Sequence, residues 1–292
     1  MIDMRFSLLL FSVVLIFMAP VAKGQSPVNT ITIPLERPPH NNITGILGAF
    51  GEEITLLLQQ VQQKKETVIA HITFTEGLLN GRKVVIAQTG IGKVNAAITT
   101  TLLLEHFQPS EIVFTGIAGA VDTSLSPGDL VIGTKVAYHD YGTLLNDGML
   151  QRPTRNPFTM QENPVYFPCD SGLVQLAKTA VGKTIFTKIK RSQGEVYPKI
   201  ITGIIVTGDV FVSSLAATQH LQQQMHAEAT EMEGAAVAQV CWQQQYPFII
   251  IRSMSDNANS NASLDVKTFY QVAARNSATL VIAIAGMIGK KK

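Results

Sequence analysis

The sequence has few of the residues from which metal sites and nucleic-acid surfaces are usually built. Charged residues make up 15% of its 292 residues, and the formal net charge is only +2. A balance this close to neutral argues against a nucleic-acid partner, because such partners are bound by clustered lysine and arginine. The six histidines are scattered, and with no HExxH or Cys-x-x-Cys pattern the sequence predicts no metal site. It also has no Gly-x-Ser-x-Gly motif, which disfavours a serine hydrolase.

Cysteine is nearly absent, and the chain has only Cys169 and Cys241. In an oxidising compartment the two could form a disulfide. Cys241 lies in an apolar segment with helical spacing, so a small buried core residue is the other interpretation. Two cysteines define no framework, and both interpretations stay open at this point.

The N-terminus has the pattern of a secretory signal. Arg5 precedes a mainly apolar run from Phe6 to Ala19, and small residues follow at Ala22 and Gly24. A membrane-spanning helix needs ~20 apolar residues, so a cleaved signal peptide over residues 1–24 is favoured over a membrane anchor. We therefore expect entry into the secretory pathway, no membrane association after cleavage, and a final location outside the cell, in the cell wall or in a vacuole.

Residues 25–41 contain four prolines among polar residues, which predicts an extended leader before the folded part. Two sequons, at Asn42 and Asn261, are candidate N-glycosylation sites. The remaining residues, 42–290, show no internal repeat and no linker-like segment, which predicts one domain.

Within this domain, apolar strands alternate with amphipathic helices. Strands are predicted at 45–50, 84–87, 112–115, 130–132, 203–206 and 248–251, and helices at 52–61, 93–106, 234–242 and 267–288. The segment 139–170, rich in Pro, Asn, Asp and Gly, is predicted to be a long loop. This alternation predicts an α/β fold, a single-domain three-layer αβα sandwich around a central mixed, mainly parallel sheet. Ligands of such sheets bind beyond the carboxyl ends of the strands.

Three carboxylates follow apolar segments near predicted strand ends. Glu231 and Glu233 are two residues apart, so on an extended strand their side chains alternate and only one faces a given pocket. Asp256 follows buried apolar residues, which predicts partial desolvation, a raised pKa and a role as proton donor. A turn cap, supported by the asparagines that follow, is the alternative for Asp256.

The segment Thr89-Gly90-Ile91-Gly92-Lys93 lies between a predicted strand and a predicted helix. It is not a Walker motif, because Ala87 replaces the first glycine and Val94 replaces the magnesium-binding hydroxyl residue. It also has no third glycine for a dinucleotide site. What remains is a close turn at a helix N-terminus, able to hold an anion or a sugar oxygen, or a plain strand-to-helix turn.

Six short segments occur in the order typical of one enzyme family. They are Gly48-Ala49-Phe50-Gly51-Glu52-Glu53, Gly90-Ile91-Gly92, Thr115-Gly116-Ile117-Ala118-Gly119, Gly208-Asp209-Val210-Phe211, Glu231-Met232-Glu233-Gly234 and Arg252-Ser253-Met254-Ser255-Asp256. The chain thereby resembles the purine nucleoside phosphorylase and nucleosidase superfamily, most of all its methylthioadenosine/adenosylhomocysteine nucleosidase branch. The signal and leader are similar to a plant subset, the bark or vegetative storage proteins and their nucleoside phosphorylase-like relatives.

The resemblance implies four catalytic residues. Asp256 matches the acid that protonates the purine N7 as the glycosidic bond breaks. Glu233 matches the carboxylate that holds the ribose hydroxyls, and Glu53 the base that positions the attacking water. Arg252 matches an arginine near that water.

The same resemblance implies the substrate contacts. Phe211 matches the ring that stacks on the purine, and the backbone of Val212 reads the edge of the base. Met232 lies against the ribose and Phe50 near the sugar. The remaining implied substrate-binding residues are Ile117, Ala118, Gly119 and Ser255.

Two residues depart from the family pattern. Phe114 stands where the phosphorolytic members have a phosphate-binding arginine, and Ile117 replaces a small hydroxyl residue that contacts the acceptor. The acceptor, water or phosphate, is therefore left open, and phosphate is the only candidate co-substrate. No cofactor is implied.

The implied function is cleavage of the N-glycosidic bond of purine nucleosides, including cytokinin ribosides, with release of the free base. A secreted, non-catalytic storage or purine-binding protein on the same fold is the alternative. The resemblance also implies a homo-oligomer, a dimer or a trimer, in which the 139–170 segment contributes to a neighbour's pocket.

Overall fold

A computed structural model of the protein describes residues 40–146, 148–191, 194–259 and 262–288. The predicted signal (1–24), nearly all of the leader, and Asn261 lie outside the described residues. The strands are β1 (Thr44–Gly48), β2 (Gln62–Ile69), β3 (Ile72–Leu79), β4 (Arg82–Gln88), β5 (Glu111–Ala120), β6 (Leu130–Tyr138), β7 (Gly142–Leu145), β8 (Gly148–Gln151), β9 (Tyr166–Pro168), β10 (Ile189–Arg191), β11 (Gly194–Val196), β12 (Ile200–Thr207), β13 (Ala227–Glu231) and β14 (Phe248–Asp256). The helices are α1 (Gly51–Gln60), α2 (Lys93–Phe107), α3 (Ser171–Val181), α4 (Leu215–Met225), α5 (Gly234–Gln243) and α6 (Ala262–Met287).

The main sheet has the strand order β13-β12-β6-β14-β5-β1-β4-β3-β2. The pairs within β13-β12-β6 and within β14-β5-β1-β4 are parallel. The pair β6–β14 and the edge pairs β4–β3 and β3–β2 are antiparallel. The prediction of a mixed, mainly parallel sheet is confirmed.

The sheet also closes on itself at one end. β13 returns to pair with β5, through Ala229 opposite Ala120 and Thr230 opposite Gly119. The strands β13, β12, β6, β14 and β5 therefore form a closed ring. This closure brings the carboxyl ends of β5, β13 and β14 together on one side of the molecule.

Helices cover the sheet on both faces because neighbouring strand residues point to opposite sides. In β1, Ile46 packs into a core with residues of α1, α3 and α6. The next residue, Leu47, packs into a separate core with residues of α2 and α5. Ile249 and Ile250 of β14 divide between the same two cores. Two apolar cores with one sheet between them make the predicted three-layer sandwich.

Several elements differ from the sequence-based prediction. The 139–170 segment is not one long loop, since it contains the β7–β8 hairpin and β9, which pairs with β6. β2, β3, α3 and α4 were not predicted, and the first strand ends at Gly48 rather than at residue 50.

Cys169 and Cys241 are both buried and are not bonded to each other, which matches the buried-core interpretation. Among the residues that the structure describes, no helix is long and apolar enough to cross a membrane.

Candidate active site

A cavity of about 540 Å³ opens at the carboxyl ends of the strands, where the sheet closes. Its walls come from the ends of β5, β13 and β14, from the N-terminal parts of α1 and α6, and from loops. The lining residues are Phe50, Glu53, Ile91, Ile117, Ala118, Gly119, Phe211, Thr230, Glu231, Met232, Glu233, Ser255, Asp256, Lys267 and Tyr270. This is the position in which the fold is expected to bind a ligand.

Ten of the twelve residues implied by the family resemblance line this one cavity, including Glu53, Glu233 and Asp256. The two exceptions are Arg252 and Val212. Arg252 is fully buried behind the wall. Val212 is half-buried and packs on the apolar cluster that contains Val206, away from the lining. The structure therefore gives no cavity contact through which Val212 would read a base.

Asp256 is the last residue of β14 and is 2% exposed. Its Oδ2 accepts a hydrogen bond from the Ser255 hydroxyl at 2.7 Å, and its Oδ1 accepts one from the Ala258 N–H at 2.7 Å. The backbone contact caps the turn that leaves the strand, so the proton-donor and turn-cap interpretations are compatible. The carboxyl group is fixed in direction while it remains part of the cavity wall.

The placement of Glu231 and Glu233 corrects the prediction from strand alternation. β13 ends at Glu231, and Glu233 is the N-cap residue of α5, with φ −134° and ψ −36° rather than an extended conformation. The chain turns because the Glu231 carboxylate accepts hydrogen bonds from the N–H groups of Glu233 and Gly234, at 3.2 and 2.8 Å. Both residues consequently line the same cavity.

Glu233 is held by the glycine turn that precedes α2. The Gly92 N–H donates to Glu233 Oε1 at 2.9 Å. The turn therefore binds a carboxylate of the protein itself rather than a free anion. Burial, followed by the charge of Glu231, raises the pKa of Glu233 to about 8, against the lowering effect of Arg252. A substrate hydroxyl that donates to this carboxylate would favour its charged form.

Glu53 is the third residue of α1 and 2% exposed. Its Oε2 accepts from the N–H groups of Ala49 and Phe50, and its Oε1 accepts from the Ile117 N–H at 2.9 Å. Burial raises the pKa of this carboxyl group, while the charge of Arg252 and the three backbone donors lower it. The Ile117 side chain replaces a hydroxyl, yet the backbone of Ile117 still holds Glu53 in place.

Arg252 lies beneath the carboxylates and does not line the cavity. Its Nη2 is 2.7 Å from Glu231 Oε2 and 4.0 Å from Glu233 Oε2. Its guanidinium carbon lies 4.0 Å from the centre of the Phe114 ring, and its Nη1 donates to the Ile251 carbonyl at 3.2 Å. Both terminal nitrogens of the guanidinium are thus engaged by protein groups, while its Nε is buried without a hydrogen-bond partner. Arg252 therefore does not contact the cavity in which the water would lie.

Sequence reasoning missed five lining residues. Strand alternation allowed only one of Glu231 and Glu233 to face a pocket, and Glu231 was not among the implied site residues. Ile91 and Thr230 were not considered as ligands. Lys267 and Tyr270 lie three residues apart on α6, so helical spacing could have placed them on one face. The Tyr270 ring lies 6.2 Å from the Phe50 ring, which closes the cavity beside Glu53.

The charged residues that line the cavity are mostly acidic. Four carboxyl groups line it, and Lys267, which is exposed, is its only cationic lining residue. When Glu233 and Glu53 are in their charged forms, such a site disfavours a bound anion and stabilises positive charge that develops on a bound group. Its chemical capacity is acid catalysis beside a cation that forms in the transition state.

Comparisons with known proteins show which proteins this chain is similar to. The family model described as the phosphorylase superfamily matches residues 43–285. A 5'-methylthioadenosine/S-adenosylhomocysteine nucleosidase of Psychromonas ingrahamii is 37% identical over 238 residues, covering 81% of this chain and 95% of that protein.

Solved structures give the same result. The nucleosidase of this name from Neisseria meningitidis, in complex with methylthio-immucillin-A, matches with a TM-score of 0.73 and 32% identity, covering 85% of this chain and 100% of that chain. The one from Colwellia psychrerythraea, in complex with adenine, matches with a TM-score of 0.72 and 36% identity, covering 84% and 95%.

Proposed function

The chain belongs to the phosphorylase superfamily, and we propose that it hydrolyses adenine nucleosides with Asp256 as the general acid. It is an enzyme of the nucleosidase type, which cleaves the N-glycosidic bond of a purine nucleoside and releases the free base. The observation that supports this most strongly is the convergence of Asp256, Glu233 and Glu53 on one cavity from three separate elements.

The leaving base sets the first requirement. A purine leaves as a poor anion unless its N7 is protonated, and a positioned acid contributes about 10²–10⁴-fold to such a step. Asp256 is buried, fixed by two hydrogen bonds and part of the cavity wall. Phe211, which is 53% exposed, lines the same cavity and offers the base an aromatic face.

The sugar sets the second requirement. As the bond breaks, positive charge develops on the ribose ring, and a nearby carboxylate stabilises it. Gly92 holds the Glu233 carboxylate in place, and in this proposal the carboxylate accepts hydrogen bonds from the ribose hydroxyls. With Glu53 on the same cavity, the cationic ring meets more than one carboxyl group.

Water is the proposed acceptor rather than phosphate. A phosphate ion in this cavity would meet the acidic lining, and Arg252 beneath it is already paired with Glu231. Phe114, at the position of the phosphorolytic arginine, is fully buried under that guanidinium. Glu53 is the group that positions and deprotonates the water. Side chains supply every step, so the proposed reaction uses no cofactor.

The natural substrate is proposed to be an extracellular adenine nucleoside. The family match begins at residue 43, so the apolar segment 6–19 and the leader are additions to the shared domain. If residues 1–24 direct secretion, the substrate is met outside the cytoplasm. This favours adenosine and its N6-alkylated derivatives over methylthioadenosine, a metabolite that is expected inside cells. N-terminal sequencing of the secreted protein tests this, with a new terminus expected near residue 25.

A homo-oligomer is proposed from an apolar stripe at the cavity rim. Val94 and Ile98 lie four residues apart on α2 and are 68% and 49% exposed, and Ile91, in the turn before the helix, is 54% exposed. Leu144, in the β7–β8 hairpin, is 76% exposed. Large exposed apolar side chains that recur on one helix are typical of an interface. Light scattering should give a multiple of the monomer mass, and Val94→Asp should shift the equilibrium toward monomer.

The test of the reaction compares substrates and acceptors directly. The mature protein is incubated with adenosine, methylthioadenosine or isopentenyladenosine, with and without phosphate, and the free base and free sugar are quantified. Base with free ribose, independent of phosphate, is the expected result. Ribose 1-phosphate as the product would overturn the assignment of water as acceptor.

The alternative of a non-catalytic storage or purine-binding protein rests on the similarity of the signal and leader to the plant subset. The same incubation decides it. Measurable adenine binding without base release, even at high protein concentration, would favour that alternative. Release from isopentenyladenosine in preference to adenosine would support a cytokinin riboside as substrate.

A further inference from the structure

Three loops at the carboxyl edge of the sheet are joined by charged residues outside the cavity lining. Lys93 begins α2, Asp140 follows β6, and Asp209 follows β12. The Lys93 Nζ lies 2.8 and 2.7 Å from the two carboxylate oxygens of Asp140, and 3.8 Å from Asp209 Oδ2. These three residues are called the Lys93 cluster below.

Backbone hydrogen bonds complete the Lys93 cluster. The Lys93 N–H donates to Asp209 Oδ1 at 2.8 Å, and the Asp209 N–H donates to Asp140 Oδ2 at 2.8 Å. Each member therefore contacts both of the others, and two of the contacts fix the main chain. An exposed ion pair alone contributes little, but a network with backbone bonds defines a geometry.

The cluster is adjacent to two groups that reach the cavity. Gly92 precedes Lys93, and its N–H donates to Glu233 at 2.9 Å. Gly92 has φ +94°, and a Cβ atom placed there would lie 3.1 Å from Asp209 Oδ1. Phe211 follows Asp209 by two residues and lines the cavity. The glycine turn and the Phe211 loop are thus packed directly against each other.

The charge balance shows why the lysine matters. The cluster holds one cation between two carboxylates, and the side chains of Lys93 and Asp140 are only 23% and 22% exposed. Without the cation, Asp140 and Asp209 would repel each other across a short distance. The loop that carries Asp209 and Phe211 is the freer part, because the side chain of Asp209 is 46% exposed.

From this geometry we infer that Lys93, through Asp140 and Asp209, is a positioning residue with two effects. It holds the Gly92 N–H in hydrogen-bond contact with Glu233, and it holds the Phe211 ring where the base would stack. The inference rests on the proposed function for the roles of Glu233 and Phe211. None of the three cluster residues lines the cavity, so they act through these two groups and not by contact with substrate.

The inference has a pH signature that a purely structural role would not produce. The charged groups around Glu233 are Glu231 and Glu53, which raise its pKa, and Arg252, which lowers it; the Gly92 hydrogen bond also lowers it. If the cluster is broken, the Gly92 bond weakens and the pKa of Glu233 rises. The pH at which kcat/KM reaches half its maximum should then move upward.

The experiment uses Lys93→Met, with Lys93→Arg as the conservative variant and Lys65→Met as the matched control. Lys65 is 3.8 Å from Glu76 in an exposed pair on the β2–β3 hairpin. Adenine binding is measured by calorimetry, and kcat/KM with adenosine is measured against pH. For Lys93→Met we expect about tenfold weaker adenine binding, the scale of a lost base–aromatic contact, together with the upward pH shift. Lys93→Arg and Lys65→Met should stay within about twofold of wild type in affinity.

Wild-type adenine affinity and an unchanged pH profile in a folded Lys93→Met protein would overturn the inference. If that variant does not fold, Asp209→Ala gives the same test, since it removes an exposed side chain. A wild-type protein that binds adenine but releases no base would refute the proposed reaction. The adenine affinities of the variants would still decide whether the Lys93 cluster positions Phe211.

Discussion

The buried ion pair of Glu231 and Arg252 lies beneath the cavity. The substitution Glu231→Gln tests most directly how much this pair contributes to stability. The Arg252 Nη2 lies 2.7 Å from Glu231 Oε2, and the two side chains are 1% and 2% exposed. After the substitution, the nearest carboxylate to the guanidinium is that of Glu233, at 4.0 Å. A buried cation would thus lose its main counter-charge.

The expected cost follows from that burial. Removing one partner of a buried ion pair costs about 3–5 kcal/mol, mostly because the other charge is left unpaired. Glutamine keeps one acceptor oxygen, so the lower end, about 3 kcal/mol, is expected. For a domain of this size each kcal/mol lowers Tm by about 2–4 °C, which predicts a Tm about 6–12 °C below wild type.

Thermal and urea unfolding of Glu231→Gln measure this cost, and Glu76→Gln is the matched control. Glu76 lies 3.8 Å from Lys65, and their side chains are 31% and 76% exposed. An exposed pair contributes about 0–1 kcal/mol, so the control should unfold close to wild type. Equal losses in the two variants would refute the reasoning that burial makes the Arg252 pair costly to break.

The same substitution should change the pH dependence of activity. The charge of Glu231 is the second largest cause of the raised pKa of Glu233, after burial. Removing that charge, and freeing Arg252 to attract Glu233, should lower this pKa. The pH of half-maximal kcat/KM is therefore expected to move downward, in the direction opposite to that expected for Lys93→Met. An unchanged or upward shift would contradict the proposed coupling.

Two further predictions follow from the same carboxylates. The pKa of Glu233 is raised from 4.5 to about 8, so between these pH values the folded protein holds a proton that the unfolded chain has released. This contribution to stability is present below about pH 4.5 and is lost as pH rises through about 8. Glu233→Gln should therefore show a smaller fall in Tm between pH 5 and pH 8.5 than wild type, and an equal fall would reject the raised pKa. Gly116→Ala would place a Cβ atom 2.4 Å from Glu53 Oε1, whereas at Gly182 the nearest atom would be 3.8 Å away. The kcat of Gly116→Ala should therefore drop by at least tenfold, while the control Gly182→Ala should keep the wild-type value. A fully active Gly116→Ala enzyme would argue against the role of Glu53.

The central strands could be predicted because both of their faces are buried. Ile46 and Leu47, or Ile249 and Ile250, pack into opposite cores, and such strands appear in the sequence as continuous apolar runs. β2 could not be predicted in this way. Its residues Gln62–Ile69 are mostly polar and exposed, and they form an edge strand that is specified by its pairing with β3.

The sequence could predict those parts of the candidate site that lie at the ends of strands. The carboxyl ends of parallel strands lie on one edge, which places Asp256 beside Gly119 without any knowledge of side-chain contacts. The relation of Glu231 to Glu233 was predicted wrongly, because alternation holds only while the strand continues. Here the Glu231 carboxylate caps α5 and turns the chain.

The Lys93 cluster could not be predicted from any local sequence pattern. Lys93 and Asp209 are 116 residues apart, and Asp140 lies in a segment that was predicted to be a loop. Each is an ordinary charged residue in its own context. Asp140 and Asp209 follow two neighbouring parallel strands, β6 and β12, and Lys93 meets them only in the folded structure. The same holds for Arg252, whose partner Glu231 is reached through a tertiary contact rather than through sequence spacing.

The central claim is that Asp256 protonates the departing base, and Asp256→Asn tests it most directly. Asparagine keeps an acceptor for the Ala258 N–H, and the Ser255 hydroxyl can rotate to accept from the new amide. The measurement is single-turnover base release from adenosine alongside nucleoside affinity. The account predicts a rate about 10²–10⁴-fold lower with affinity preserved. A variant that releases base at the wild-type rate would contradict it.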